Sequence, residues 1–162
     1  MRDQINAQLD TMSEGELEQI YRLIEAKKRT YHQPLAFLLE VMQFRVVGDG
    51  ADKYMYQMQI GDELLNRYGI VHGGVITTFI DTAMAETAFL LDGELKKAVT
   101  LNLTVNFVKQ AVSGMLHCQV VPTQNSYRLA LFTALVTDEE GDVIATATGH
   151  FYKSSHQAVT QG

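Results

Sequence analysis

Between Arg67 and Glu86 the chain has one charged side chain, Asp81, inside an apolar stretch that opens with Val71-His72-Gly73-Gly74. The spacing predicts a helix over residues 74–91 that is apolar nearly all round, with Ala83, Ala85 and Ala88 permitting close approach by neighbours. Such a helix has to be wrapped by other structure, so the rest of the chain must supply the wrapping. Burying an ionised carboxylate is costly unless it is paired, hydrogen-bonded or neutralised. Asp81 is therefore the first candidate for a reaction centre.

The wrapping is legible on both sides of the helix. Val99, Leu101, Leu103, Val105 and Phe107 alternate with Thr100, Asn102, Thr104 and Asn106, the period-two pattern of a half-buried strand. Further strands are expected at residues 41–47, 54–60, 115–121, 129–137 and 143–152. Turn residues separate them at Gly48-Asp49-Gly50-Ala51-Asp52, Val112-Ser113-Gly114, Gln124-Asn125-Ser126 and Glu139-Glu140-Gly141-Asp142. The last four strands read as hairpins of an antiparallel meander. With two strands before the helix, four after it and no βαβ alternation, the class is α+β: a curved antiparallel six-stranded sheet around one long central helix.

Ahead of this lies an amphipathic helix at residues 13–30, with Leu17, Ile20, Tyr21, Leu23 and Ile24 at helical spacing and a Ser13/Glu16 capping box at its start. Pro34 is placed to open a further short helix through residues 35–39. The expected organisation is an N-terminal helical arm over 1–33, one domain over 34–153 and a mobile tail over 154–162.

Composition narrows the partners. The 162 residues, 46% of them hydrophobic, suffice for one domain with a substantial core. A formal net charge of -6 offers no general attraction to phosphate backbones or anionic membranes, so nucleic acid is not an expected partner. The stretch from Tyr68 to Leu91 approaches membrane-spanning length, but its His72, Asp81, Glu86 and threonines favour a core helix over a membrane partner. One cysteine, Cys118, and a start that lacks an apolar leader point to the cytoplasm. His117 and Cys118 are neighbours on opposite strand faces, and no metal site or other cofactor is expected. The sequence has no Gly-x-Ser-x-Gly, P-loop or Gly-x-Gly-x-x-Gly motif, which removes the usual serine hydrolase and nucleotide-binding readings.

Asn66, His72-Gly73-Gly74, Asp81 nine positions after His72, and Thr100 together resemble the active-site pattern of hotdog-fold acyl-CoA thioesterases of the PaaI-like, phenylacetate-pathway type. The resemblance runs through Asn66-Arg67-Tyr68-Gly69-Ile70-Val71-His72-Gly73-Gly74 and through the strand from Val99 to Phe107, and covers roughly residues 36–153. It implies the hotdog fold, acyl-CoA as substrate, Asp81 as the catalytic carboxylate, Thr100 as an assisting hydroxyl, and a dimer with shared sites that often pairs again into a tetramer.

Elementary chemistry assigns compatible roles. A backbone N–H at a helix start is a preorganised donor for the oxyanion of thioester cleavage, and Gly73 and Gly74 let an acyl group approach the main chain. Asn66 has an amide able to donate to the thioester oxygen or to orient water, and His72 is expected to fix the turn. Asp81 is either nucleophile or general base; the sequence leaves both open. Eight residues of helix separate Gly73 from Asp81, roughly 12 Å, so one chain cannot present both to a single carbonyl. Two antiparallel central helices, related by a twofold axis, are expected to bring them together. Two other readings share this architecture: a non-enzymatic acyl-CoA-sensing module and an enoyl-CoA hydratase or dehydratase. An acyl carrier protein in place of CoA also stays open.

Overall fold

The computed structural model describes residues 1–32, 37–50 and 53–154. The chain divides into two units, Met1–Gln43 and a larger one from Phe44 onward.

In the first unit, α1 (Arg2–Leu9) is a short helix with no buried residue, and no hydrophobic pattern in the sequence announces it. The helix α2 (Glu14–Arg29) begins at the Ser13/Glu16 capping box, each side chain accepting from the other's backbone N–H. Lys27, Lys28 and Arg29 occupy its last turn, where cations complement the helix dipole. The short helix α3 (Phe37–Val41) is tied to α2 by the Arg29–Glu40 ion pair at 2.8 Å. The predicted start at Pro34 lies outside the described residues, as does the tail beyond residue 154. Val41, expected to begin a strand, instead ends α3. Short apolar runs do not distinguish helix from strand by periodicity, and here the local helix wins.

The second unit holds β1 (Arg45–Gly50), β2 (Lys53–Gln59), α4 (Gly73–Leu91), β3 (Lys97–Phe107), β4 (Met115–Asn125), β5 (Leu129–Thr137) and β6 (Val143–Ser154). The six strands form one antiparallel sheet in the order β1-β2-β4-β5-β6-β3. Hairpins join β4, β5 and β6 as expected, but β3 is not the hairpin partner of β4. It crosses to the far edge and pairs with β6, while β4 pairs with β2. The Val112-Ser113-Gly114 signal thus ends a crossover, with Gly114 at φ 83° and its carbonyl accepting from Ile60 N–H at 2.9 Å.

Helix α4 lies against this curved sheet. Ile76, Phe79, Ile80, Ala83, Met84, Thr87 and Ala88 form its buried face and meet Tyr56, Phe132 and Phe151 in a fully enclosed core. Phe44 stacks on Tyr56 at 5.5 Å and meets Phe79 edge-on at 6.0 Å. Where β6 passes under the helix, Gly149 leaves room for Met84; a Cβ there would overlap the Met84 sulfur. The expectation that α4 is covered on every side needs correction for the single chain. Thr77, Thr78, Asp81, Thr82, Ala85, Glu86 and Phe89 remain partly exposed, so the sheet covers one half of the helix.

A second correction concerns β3. Its register against β6 shifts between Thr100 and Asn102, so Leu101 is an extra residue at a bulge. Strict alternation would group Thr100 with Asn102 and Thr104 on the polar face. The bulge resets the phase and brings Thr100 to the helix-facing side, which Leu103 and Phe107 occupy further along. As an edge strand β3 is also more open than its pattern suggests: Leu101 is 60% exposed.

Candidate active site

The loop leading into α4 is built by backbone hydrogen bonds. Leu65 and Val71 form an antiparallel bridge, Asn66 N–H donates to the Ile70 carbonyl at 2.8 Å, and Gly69, at φ 71°, donates to the Asn66 carbonyl at 2.9 Å. A left-handed φ suits glycine, which fits Gly69 to this reversal. Val71 N–H is held by the Ala111 carbonyl at 2.8 Å and His72 N–H by the Leu64 carbonyl at 3.0 Å. These bonds fix where the helix starts and where the Asn66 side chain sits.

The Asn66 Oδ1 accepts from Tyr68 N–H at 2.8 Å. Because that N–H can only donate, the side-chain oxygen is the atom it meets, which leaves the Nδ2 group as a donor. His72 is the N-cap of α4, its Nδ1 accepting from Gly74 N–H at 3.3 Å. This bond occupies Nδ1 and the Gly74 N–H together. The next donor, Gly73 N–H, has no intramolecular acceptor among the described residues. A helix start with one free N–H is an electropositive point ready for an oxyanion.

Asn66 and Gly73 share a cavity of about 280 Å³ with Ile76, Phe107 and Gln110. Ile70, Val71 and Val108 complete its largely apolar wall, and Lys109 borders it. Phe107 and Gln110 are site residues that the sequence did not single out. Phe107 reads there as one more apolar strand position, and the only available signal was its place at the end of a strand beside the helix-start motif.

Asp81 is not part of that cavity. It lies half-buried on the half of α4 that the sheet leaves open, and its Oδ1 accepts from the Thr100 hydroxyl at 2.7 Å. The bulge at Leu101 makes this bond possible. Thus the structure joins Asp81 to Thr100 and Asn66 to Gly73, and keeps the two pairs apart within one chain. Glu86, one and a half turns beyond Asp81, is held above the usual carboxylate range by burial. Lys109 bonds Asp142 at 2.6 Å and Asp138 at 3.2 Å, and buried Lys153 donates to Asn125 Oδ1 at 2.6 Å. Burial pushes the Cys118 thiol up to about 12, away from nucleophilic use. Among the described residues, no group of three or more His, Cys, Asp or Glu side chains is arranged to hold a metal ion.

Residues 68–145, which contain the His-Gly-Gly helix start, Asp81 and Thr100, match the family model described as the thioesterase superfamily. A Mycobacterium tuberculosis protein named an esterase, Rv1847, is 32% identical over 108 residues, covering 64% of this chain and 75% of that one. The chain belongs to the thioesterase superfamily. Solved structures of the superfamily's hotdog architecture agree with the fold. A Bacillus halodurans protein, BH2602, solved with CoA, superposes with a TM-score of 0.82 at 24% identity over 95% of this chain and 100% of that one. The Haemophilus influenzae thioesterase HI1161 superposes with a TM-score of 0.70 at 16% identity, covering 76% and 86%. Membership in this superfamily sets the general activity class as thioester or ester hydrolysis.

Proposed function

We propose that this thioesterase hydrolyses acyl-CoA to a carboxylic acid and CoA in a site shared by two chains. The observation that carries the reading is the Thr100 hydroxyl bonded to Asp81 at 2.7 Å, a carboxylate held in place on the uncovered half of the central helix. Gly73 and Asp81 are separated by roughly 12 Å of helix, so an antiparallel partner helix is needed to bring the acid of one chain to the oxyanion donor of the other. The edge position of β3 and the exposed Val99 and Leu101 supply a surface for that partner.

In such a site the thioester carbonyl oxygen takes the Gly73 N–H and the Asn66 Nδ2 as donors, and the negative charge that builds on it is stabilised by the helix start. Asp81 of the other chain either attacks the carbonyl carbon, expelling the CoA thiolate and leaving a mixed anhydride that water cleaves to the carboxylic acid, or removes a proton from a water whose attack breaks the C–S bond and releases CoA, with Thr100 fixing its orientation. The apolar walls of the cavity receive the acyl group. CoA as the carrier is supported by the CoA in the B. halodurans relative.

The test is thiol release from a panel of acyl-CoAs by the wild-type protein and by Asp81→Asn. The expected outcome is turnover by the first and a loss of about 10² to 10⁴-fold in the second, the range a positioned acid or base supplies, with unchanged circular dichroism. Binding without thiol release by the wild type would favour a sensing module, and addition of water to enoyl-CoA a hydratase.

A further inference from the structure

The cavity at the start of α4 has one wall unlike the others. Phe107, the last residue of β3, lays its ring against Gly73: a Cβ built on that glycine would lie 3.3 Å from the Phe107 Cζ. Its main chain is paired with Ala145 of β6, so the base of the side chain is fixed while the ring reaches across to the helix start. The ring is nevertheless 55% exposed, because it faces the open cavity and not the core. Two further lining residues, Lys109 and Gln110, are polar, the Lys109 ammonium hydrogen-bonded to Asp142 and Asp138.

We propose that Phe107 is the specificity-determining residue of this thioesterase, limiting the bulk of the acyl group whose carbonyl is held at Gly73 and Asn66. The inference rests on the acyl-CoA reading above and deepens it. With the carbonyl oxygen at the Gly73 N–H, the first carbons of the acyl chain must pass the Phe107 ring, since the ring is in contact with that same glycine. The apolar space lined by Ile70, Ile76 and the ring takes a short or medium acyl group, and a longer one meets the ring. An apolar pocket discriminates by about tenfold or more for each methylene that does not fit.

The experiment compares wild type, Phe107→Ala and Phe107→Trp on saturated acyl-CoAs from acetyl to lauroyl, reading kcat/KM for each. Binding of the matching non-hydrolysable S-alkyl-CoA thioethers is measured in parallel by calorimetry. The kcat/KM ratio of lauroyl-CoA to butyryl-CoA should rise at least tenfold in Phe107→Ala and fall in Phe107→Trp, and thioether affinities should follow the same order. Because the ring is more than half exposed, its removal should leave the fold intact, which circular dichroism checks. A uniform fall in kcat across all chain lengths would mean the ring only supports Gly73, and an unchanged profile would mean it touches no acyl group; either overturns the inference while leaving hydrolysis standing. Thioether binding that shifts with the variants in a protein that releases no thiol would uphold the role of Phe107 and overturn hydrolysis.

Discussion

Asp81 has one hydrogen-bond donor among the described residues, the Thr100 hydroxyl, and a hydrogen bond to an ionised group is worth about 1.5–3 kcal/mol. Replacing Thr100 by Val should therefore lower kcat by roughly ten- to a hundredfold with little change in KM, because orientation of the acid is lost while the acyl cavity stays intact. Thr100→Ser, which keeps the hydroxyl, should restore most of the rate; failure of serine to do so would show that the methyl group, not the bond, matters. Glu86 makes a pH argument of opposite character. Burial raises its folded-state pKa, so the folded protein holds that proton more tightly than the unfolded chain. The associated stability is complete below the ordinary glutamate range, about 4, and is lost as pH rises through the elevated value. Glu86→Gln should then melt above wild type at neutral pH and level with it in acid, as thermal unfolding at several pH values would reveal. Asp81 stands out in the sequence by its isolation in an apolar run. Its bond to Thr100 is not legible there, because strict alternation places Thr100 on the other face of the strand.

Helix α4 and strand β3 illustrate what each level of pattern can carry. The apolar run over residues 74–91 predicts the helix nearly to its observed bounds of Gly73–Leu91, and the capping box at Ser13 predicts the start of α2. Both signals are local: a periodicity and a cap need only a few neighbouring residues. The bulge at Leu101 is not local, since it exists only in the register between β3 and β6. The same holds for Gly149, which in sequence is one glycine in a strand and in the structure is the place where Met84 of α4 presses on β6. A Cβ there meets the Met84 sulfur and lies 3.1 Å from the Phe151 ring, and both side chains are fully buried. Gly149→Ala should consequently destabilise by about 1–3 kcal/mol, the usual cost of overfilling a packed core, measurable as a lower urea midpoint at unchanged slope.

At the scale of the whole molecule the proposal stands on two chains sharing each site, which subunit mixing can test. Asp81→Asn retains the Gly73 donor and lacks the acid. Gly73→Pro retains the acid and lacks the N–H, at a helix position that proline favours, with its ring set against Phe107. Each variant should be inactive alone. Co-refolded in equal amounts they should recover about a quarter of wild-type activity, because half the dimers are mixed and each mixed dimer regains one of its two sites. No recovery would place acid and donor in the same chain. The α+β class, the central helix, the six strands and the candidate carboxylate follow from the sequence alone, because apolar periodicity, turn residues and the cost of burying charge all act over short stretches of chain. Only the tertiary structure decides that β3 crosses to the sheet edge, that a bulge turns Thr100 toward Asp81, and that Phe107 closes on Gly73. Those features depend on which distant strands become neighbours and in what register, and no local pattern of residues encodes that choice.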